Sequence, residues 1–260
     1  MKNMTGVKEV ASVNSTGKLT LNNVGEIVSL RVKGAANNTV ESNFTVDALQ
    51  GTSDKLNVIL DEAIKGADIS VNAGFESAEL EAKGSGNVLK DLNVPGVESL
   101  TIKGEGDLKV ENNALDGFTS VTSSLSGNLT LGNMTGVKTL DLSSMTTDVK
   151  AINVSSTTGF ATDTISLDAG GATVKLGSGN DVLKFSSGTS SGKTDTIYLG
   201  SGNDKVEYSK GSGNAVIFGE DGNDVLKVSG SNSFNASDLI DLGEGTDKVV
   251  ISGTHTLVLN

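Results

Sequence analysis

The chain has 260 residues, a formal net charge of −12, no cysteine, no tryptophan and Arg31 as its only arginine. The lack of a basic cluster excludes a nucleic-acid surface, the lack of cysteine excludes disulfide staples, and a lone histidine, His255, gives a zinc centre or a Ser/His/Asp relay no material. With 33 glycines, one proline and 3% aromatic residues, the composition predicts a long thin core of Val, Leu and Ile in stacked rows.

From the N-terminus a glycine ladder punctuates the chain. Gly6-Val7-Lys8-Glu9-Val10, Gly74-Phe75-Glu76-Ser77-Ala78, Gly96-Val97-Glu98-Ser99-Leu100, Gly117-Phe118-Thr119-Ser120-Val121 and Gly136-Val137-Lys138-Thr139-Leu140 share a glycine, then Val or Phe, then an alternating strand. Gly25 and Gly51 fit less well, and Gly159-Phe160 extends the ladder. Successive glycines lie roughly twenty residues apart, the length of one two-stranded coil. Lys18-Leu19-Thr20-Leu21, Asp68-Ile69-Ser70-Val71, Leu100-Thr101-Ile102, Asp107-Leu108-Lys109-Val110, Asn128-Leu129-Thr130-Leu131, Thr164-Ile165-Ser166-Leu167 and Thr196-Ile197-Tyr198-Leu199 alternate with period two. That period predicts strands with one buried and one wet face, as a two-sheet solenoid requires.

Residues 45–66, with Val46, Leu49, Leu56, Leu60 and Ile64, allow a short helical reading instead. Gly84-Ser85-Gly86-Asn87-Val88 and Gly104-Glu105-Gly106-Asp107 predict plain turns, and Asp61-Glu62 with Glu79/Glu81 predict exposed acidic faces. No two carboxylates share a cleft in this pattern, so the chain does not read as an enzyme. It contains no apolar run long enough to span a membrane and no N-terminal signal-peptide pattern. Met1 stands mid-ladder, which predicts a piece of a larger protein.

The last third is the most specific. Leu176-Gly177-Ser178-Gly179-Asn180-Asp181, Leu199-Gly200-Ser201-Gly202-Asn203-Asp204, Gly219-Glu220-Asp221-Gly222-Asn223-Asp224 and Leu242-Gly243-Glu244-Gly245-Thr246-Asp247 are glycine turns ending in aspartate. Each is followed two places on by a branched apolar residue, Leu183, Val206, Leu226 and Val249. With that aspartate as position six, frames of nine residues place Asp163, Ala172, Asp181, Asp195, Asp204, Ala215, Asp224, Asp238 and Asp247 in succession. If consecutive turns fall on opposite margins of a flattened coil, one margin stacks Asp163, Asp181, Asp204, Asp224 and Asp247, and the other reads Ala172, Asp195, Ala215, Asp238. Residues 185–189, 208–209 and 228–232 are extras between frames, expected to bulge as loops on the second margin.

These turns resemble the calcium-binding nonapeptide of the RTX secreted proteins, G-G-x-G-x-D-x-U-x with U apolar. The resemblance implies several Ca2+ ions in the gaps between stacked turns, each turn supplying half a shell of hard oxygen ligands at about 2.3–2.6 Å. The implied ligand positions are Leu176, Ser178, Asn180 and Asp181; Leu199, Ser201, Asn203 and Asp204; Gly219, Asp221, Asn223 and Asp224; Leu242, Glu244, Thr246 and Asp247; and Asp163, whose turn lacks the second glycine. A phosphate loop would need a helix after the glycines, and a strand follows each. Carboxylates stacked about 4.8 Å apart repel by about 3 kcal/mol per neighbouring pair at an effective dielectric near 20, so this part should be loose without cations and lock with them.

The expected fold is all-β, a parallel β-solenoid or β-roll of about twelve two-stranded coils. Residues 1–157 form its calcium-poor part, and residues 158–260 form the calcium-binding roll with a C-terminal secretion tail, Thr254-His255-Thr256-Leu257-Val258-Leu259-Asn260, in one continuous rod of roughly 55–60 Å. Residues 1–157, rich in Gly, Asn, Ser, Thr and Val, are similar in composition to C-terminal regions of bacterial surface-layer proteins ending in RTX repeats, such as those of Campylobacter and Caulobacter. That resemblance implies a structural protein of the cell surface that is exported by a type I secretion apparatus, folds on calcium outside the cell, and assembles with copies of itself. Contact with envelope polysaccharide would be made through an upstream region. A non-catalytic tail of a secreted protease or lipase, or a calcium-stiffened adhesin stalk, is the alternative.

Overall fold

The computed structural model describes residues 6–35, 38–111, 113–132, 139–142, 144–145, 149–151, 173–176, 180–185, 191–230 and 234–253. Asp163, Ala172, Ser178, Gly136, the Thr164–Leu167 strand and the tail from Thr254 lie outside the described residues. The chain divides into two compact units, Met1–Asn128 and Leu129–Asn260.

In the first unit, β1 (Glu9–Val13), β3 (Ser29–Lys33), β5 (Lys55–Asp61), β7 (Ser77–Lys83), β9 (Ser99–Gly104) and β11 (Ser120–Ser123) pair in that order in one parallel sheet. A second parallel sheet holds β2 (Lys18–Val24), β4 (Asn38–Phe44), β6 (Ala67–Val71), β8 (Asn87–Asn93) and β10 (Leu108–Val110). The second unit repeats the scheme. Its first sheet is β13 (Thr139–Asp141), β15 (Thr173–Lys175), β17 (Thr194–Tyr198), β19 (Asn214–Phe218) and β21 (Leu239–Asp241). Its second is β12 (Leu129–Leu131), β14 (Val149–Ala151), β16 (Val182–Phe185), β18 (Lys205–Ser209), β20 (Val225–Ser229) and β22 (Lys248–Ile251). Odd strands go to one sheet and even strands to the other, so each coil adds one strand to each, and the fold is an all-β parallel β-solenoid as expected.

In-register parallel pairing places each residue over its equivalent one coil earlier. Val10, Leu30, Val58, Leu80 and Ile102 form one column through the first unit, and Leu19, Val40, Ile69 and Leu92 form another. Leu140, Val174, Ile197 and Ile217 continue the pattern in the second unit. Leu30, Leu80, Ile102, Leu140, Val174 and Ile217 are all at most 1% exposed. Branched side chains suit the pleated surface and interlock along such columns. Gly74, Gly96 and Gly117 have φ of +122°, +88° and +104°, which explains the regular glycine at the entry to each coil; Gly25 and Gly51, the poorer fits, lack positive φ.

Two expectations are corrected. The helical reading of 45–66 shrinks to one 3₁₀ turn, Val46–Leu49, capped by Thr45, whose hydroxyl accepts from the Ala48 N–H at 3.3 Å. Leu56, Val58 and Leu60 lie on the core face of β5 at 0–1% exposure, because period-two burial against β3 and β7 outweighs local helical spacing. The extras at 208–209 and 228–229 are the last residues of β18 and β20, not loops; Tyr208 is among the largest buried side chains.

The acidic faces are also less exposed than expected. Arg31 donates to Glu9 at 2.8 Å and to Asp61 at 2.9 Å, and Lys33 donates to Asp61 at 2.9 Å. Glu79 lies between Lys55 at 3.0 Å and Lys103 at 2.6 Å. The hydrogen bond from Arg31 holds Glu9 below the usual carboxylate range, and that from Lys33 does the same for Asp61. For Glu79, burial works in the opposite direction, but the hydrogen bonds from Lys103 and Lys55 prevail and its pKa is lowered. The side chain of Leu80 is 0% exposed, in the middle of its column. Leu80→Ala is expected to destabilise the first unit by about 3 kcal/mol, read as a fall in urea midpoint at unchanged m-value.

Candidate cation-binding margin

The turns 199–204, 219–224 and 242–247 each lead from the first sheet of the second unit to its second sheet, and Leu176, Asn180 and Asp181 stand at the same junction between β15 and β16. They therefore fall on one margin, where coil-to-coil pairing aligns them. Leu176 N–H donates to Tyr198 O, Leu199 N–H to Phe218 O and Gly219 N–H to Asp241 O at 2.8–2.9 Å. At the far end of each turn, Lys205 N–H donates to Asp181 O, Val225 N–H to Asp204 O and Lys248 N–H to Asp224 O, all at 2.8 Å. Glycine is required where turns meet closely: at Gly222 (φ +144°) a methyl group would overlap the Gly202 carbonyl oxygen, and at Gly245 (φ +139°) the Gly222 carbonyl oxygen.

The four aspartates form one column. Asp181 N–H donates to Asp204 Oδ1 at 2.8 Å, Asp204 N–H to Asp224 Oδ1 at 2.9 Å, and Asp224 N–H to Asp247 Oδ1 at 2.9 Å. The carboxylates of Asp204, Asp224 and Asp247 thus each reach back one coil. The preceding residue reaches forward: Asn203 N–H donates to Asn180 Oδ1 at 2.7 Å, Asn223 N–H to Asn203 Oδ1 at 2.9 Å and Thr246 N–H to Asn223 Oδ1 at 2.8 Å. Asp181, Asp204 and Asp224 are buried to 1% exposure or less, whereas Asn180, Asn203, Asn223 and Thr246 are exposed. Ser201, Asp221 and Glu244 are exposed too and align through isolated bridges. Leu176, Leu199 and Gly219 are buried, and Leu242 is half-buried. The residues expected as ligands thus separate into an aspartate column, exposed positions within the turns, and the entry residues Leu176, Leu199, Gly219 and Leu242, which could contribute only main-chain oxygens.

One carboxylate oxygen sets the chemistry of this margin. Asp224 Oδ2 is buried without a hydrogen-bond partner, an arrangement that costs about 1–3 kcal/mol or more for a charged group. The Leu242 carbonyl oxygen lies beside it: a methyl group on Gly219 would overlap that carbonyl and stand 2.6 Å from Asp224 Oδ2. Two oxygens of adjacent coils therefore converge where a side chain is missing, and this donor set suits a hard cation. Burial pushes the Asp224 carboxyl above its ordinary range; the Asp204 N–H works against this and the Asp247 charge adds to it. Among the described residues no three His, Cys, Asp or Glu side chains gather on one point, so a cation on this margin would draw most of its shell from main-chain carbonyls.

The opposite margin solves the same problem internally. Asp195 accepts from the Tyr208 hydroxyl at 2.8 Å. Asp238 accepts from Ala215 N–H at 2.6 Å and Asn235 N–H at 2.8 Å, and its carboxylate stands 3.4 Å from Lys210 Nζ. Lys210 is 3% exposed and its ammonium also donates to the carbonyls of Gly211 (3.2 Å) and Gly213. A cationic group of the chain itself thus sits between turn carbonyls and a buried aspartate. The sequence reading missed Lys210 and Tyr208. The signal was present in the frame 210–218, which opens on Lys where every other frame opens on an uncharged residue, Leu, Gly, Ser or Thr.

In the first unit the echo at 84–88 carries an amide where the later turns carry the aspartate. Asn87, 1% exposed, accepts from Ala63 N–H at 3.0 Å and donates to Lys83 O and Asp107 O at 2.9 and 3.0 Å. A neutral amide makes the backward bond there, so no charge needs compensation.

Among the described residues no helix is long and apolar enough to cross a membrane. Comparison with known protein families, curated proteins and solved structures finds no match to this chain.

In chelator, Asp224→Asn keeps the Oδ1 acceptor for Asp204, removes a charge and turns an amide donor toward the Leu242 carbonyl, so its thermal midpoint is expected to rise. Because the folded-state pKa of Asp224 is raised, the cation-free second unit should gain stability as pH falls through that pKa and lose it as pH rises, until the acid range below the ordinary carboxylate value is reached. Glu9, Asp61 and Glu79, whose values are lowered, act with the opposite sign: their contribution is present at neutral pH and is lost as pH falls through their folded-state values. Amide exchange followed by unit against pH separates the two. Lys210→Met, which leaves Asp238 as a buried charge without its cation, is expected to cost about 3 kcal/mol with calcium present or absent, read by chemical denaturation.

Proposed function

We propose that the chain is a non-enzymatic structural segment of a secreted surface-layer protein, a solenoid of about twelve coils whose C-terminal part folds on binding several Ca2+ ions. The observation that carries this reading is the buried, partnerless Asp224 Oδ2 beside the Leu242 carbonyl, within a column of aspartates bonded coil to coil. Asp181, Asp204, Asp224 and Asp247 would supply carboxylate oxygens, and the turns from Leu176, Leu199, Gly219 and Leu242 their carbonyls. Divalent ions held there would neutralise a column whose neighbours repel by about 3 kcal/mol per pair, and binding free energy becomes folding free energy.

The chain's own groups are arranged for this dependence. Main-chain N–H groups hold one oxygen of the Asp204, Asp224 and Asp247 carboxylates and orient the other. Exposed Asn180, Asn203 and Asn223 tie the turns from outside, and Lys210 keeps the second margin independent of added ions. In a low-calcium cytoplasm the uncompensated column favours a loose chain fit for type I export; in millimolar extracellular calcium the coils close and self-assembly follows.

Calorimetric titration of the chelated protein with CaCl2, alongside circular dichroism, tests the proposal. Several ions are expected to bind, with a gain in β signal and a higher melting point that EDTA reverses. An identical spectrum and melting point in CaCl2 and EDTA would remove calcium from the function.

A further inference from the structure

The outward face of the first sheet in the second unit is unlike the other outward faces. Pairing aligns Asp141, Lys175, Tyr198, Phe218 and Asp241 in one outward row, and Thr139, Thr173, Thr196, Val216 and Leu239 in the next. The rings of Tyr198 and Phe218 stack at 5.1 Å and 14°, both partly exposed, and Leu239 is 47% exposed. The opposite sheet instead intersperses its outward valines, Val182, Val225 and Val250, with Lys205, Glu207, Lys227 and Lys248. Contiguous apolar surface rimmed by charge marks an interaction face.

The order of charges selects the occupant. Lys175 flanks the aromatic pair on one side and Asp241 on the other. A twofold axis parallel to the strands and passing between Tyr198 and Phe218 reverses the coil order, so a second copy brings its Asp241 over Lys175 and its Phe218 over Tyr198. An axis along the stacking direction would set Lys175 over Lys175 and is disfavoured. We propose that this face is the self-contact surface of the protein, two copies meeting sheet to sheet with antiparallel coils. The contact rests on the surface-layer reading above and gives its self-assembly an address.

Four strands about 4.8 Å apart, each with two or three outward residues, offer roughly 400 Å2 per copy. That is about half of the ~800 Å2 per partner in a stable complex. A pair held only by this face is weak, and repetition in an array multiplies it, which matches a lattice better than a free dimer. Such self-complementary contacts are isologous, so each Lys175/Asp241 pairing occurs twice.

The test is a charge swap in the full chain with millimolar CaCl2, read by sedimentation velocity and electron microscopy, with circular dichroism to verify folding of every variant. Lys175→Glu and Asp241→Lys are each expected to weaken association about tenfold, and the double variant to recover it. Phe218→Ser, which leaves the charges in place, should weaken it as well. Association unaffected by either single change, a double variant no better than the singles, or a wild-type chain that binds calcium yet stays monomeric overturns the contact. A wild-type chain with no response to calcium would instead count against the calcium reading. Assembly driven by calcium but indifferent to the swap removes only this face.

Discussion

In-register parallel stacking at about 4.8 Å per coil is the constraint from which the rest of this structure follows. It sets each residue over its own equivalent, so whatever one coil presents, the next presents again. For Val10, Leu30, Val58, Leu80 and Ile102 this yields a continuous apolar column with branched side chains interlocked. For aspartate it yields a column of like charges in a buried position, where the repulsion is least screened.

The solenoid contains three responses to that problem. At Asn87 the acid is replaced by an amide, which keeps the backward bond to Ala63 and carries no charge. On the Asp195/Asp238 margin the chain supplies Tyr208 from β18 and Lys210 from the turn that follows it. On the Asp181–Asp247 margin the carboxylates remain adjacent, and those of Asp204, Asp224 and Asp247 each have one oxygen held by an N–H of the preceding coil. Of the three, only this last arrangement would make folding answer to the composition of the solvent, as proposed above. It joins the physics of the coil to the proposed role, because a chain that is loose where divalent ions are scarce and ordered where they are abundant suits export before assembly.

Surface charge alternates in sign between neighbouring coils, along diagonals of the sheet rather than vertical rows. Glu9, Arg31 and Asp61 succeed one another across β1, β3 and β5, and Lys55, Glu79 and Lys103 across β5, β7 and β9. Opposite charges on neighbouring coils turn the stacking constraint to advantage, which is why acids that look solvated in the linear sequence are half-buried in ion pairs. The row Lys175, Tyr198, Phe218, Asp241 departs from this rule by setting two rings between its charges.

The glycine ladder and period-two strands by themselves determined the solenoid and the margin on which Asp181, Asp204, Asp224 and Asp247 meet, because both depend only on repeat length and alternation. The repeat could not show where strands end: Tyr208 and Ser229 read as leftovers between frames, yet pairing with the neighbouring coils carries β18 and β20 through them. It could not show that Asp224 keeps a buried oxygen without a partner, since that depends on which N–H of another coil reaches Oδ1. Nor could it identify Lys210 as an internal cation, because its partners, Gly213 and Asp238, come together only when the turn closes and the next coil is laid on top. Tertiary structure decided how each charge is compensated, for the physical reason that compensation is a short-range matter of a few ångströms between coils while the repeat records only the period.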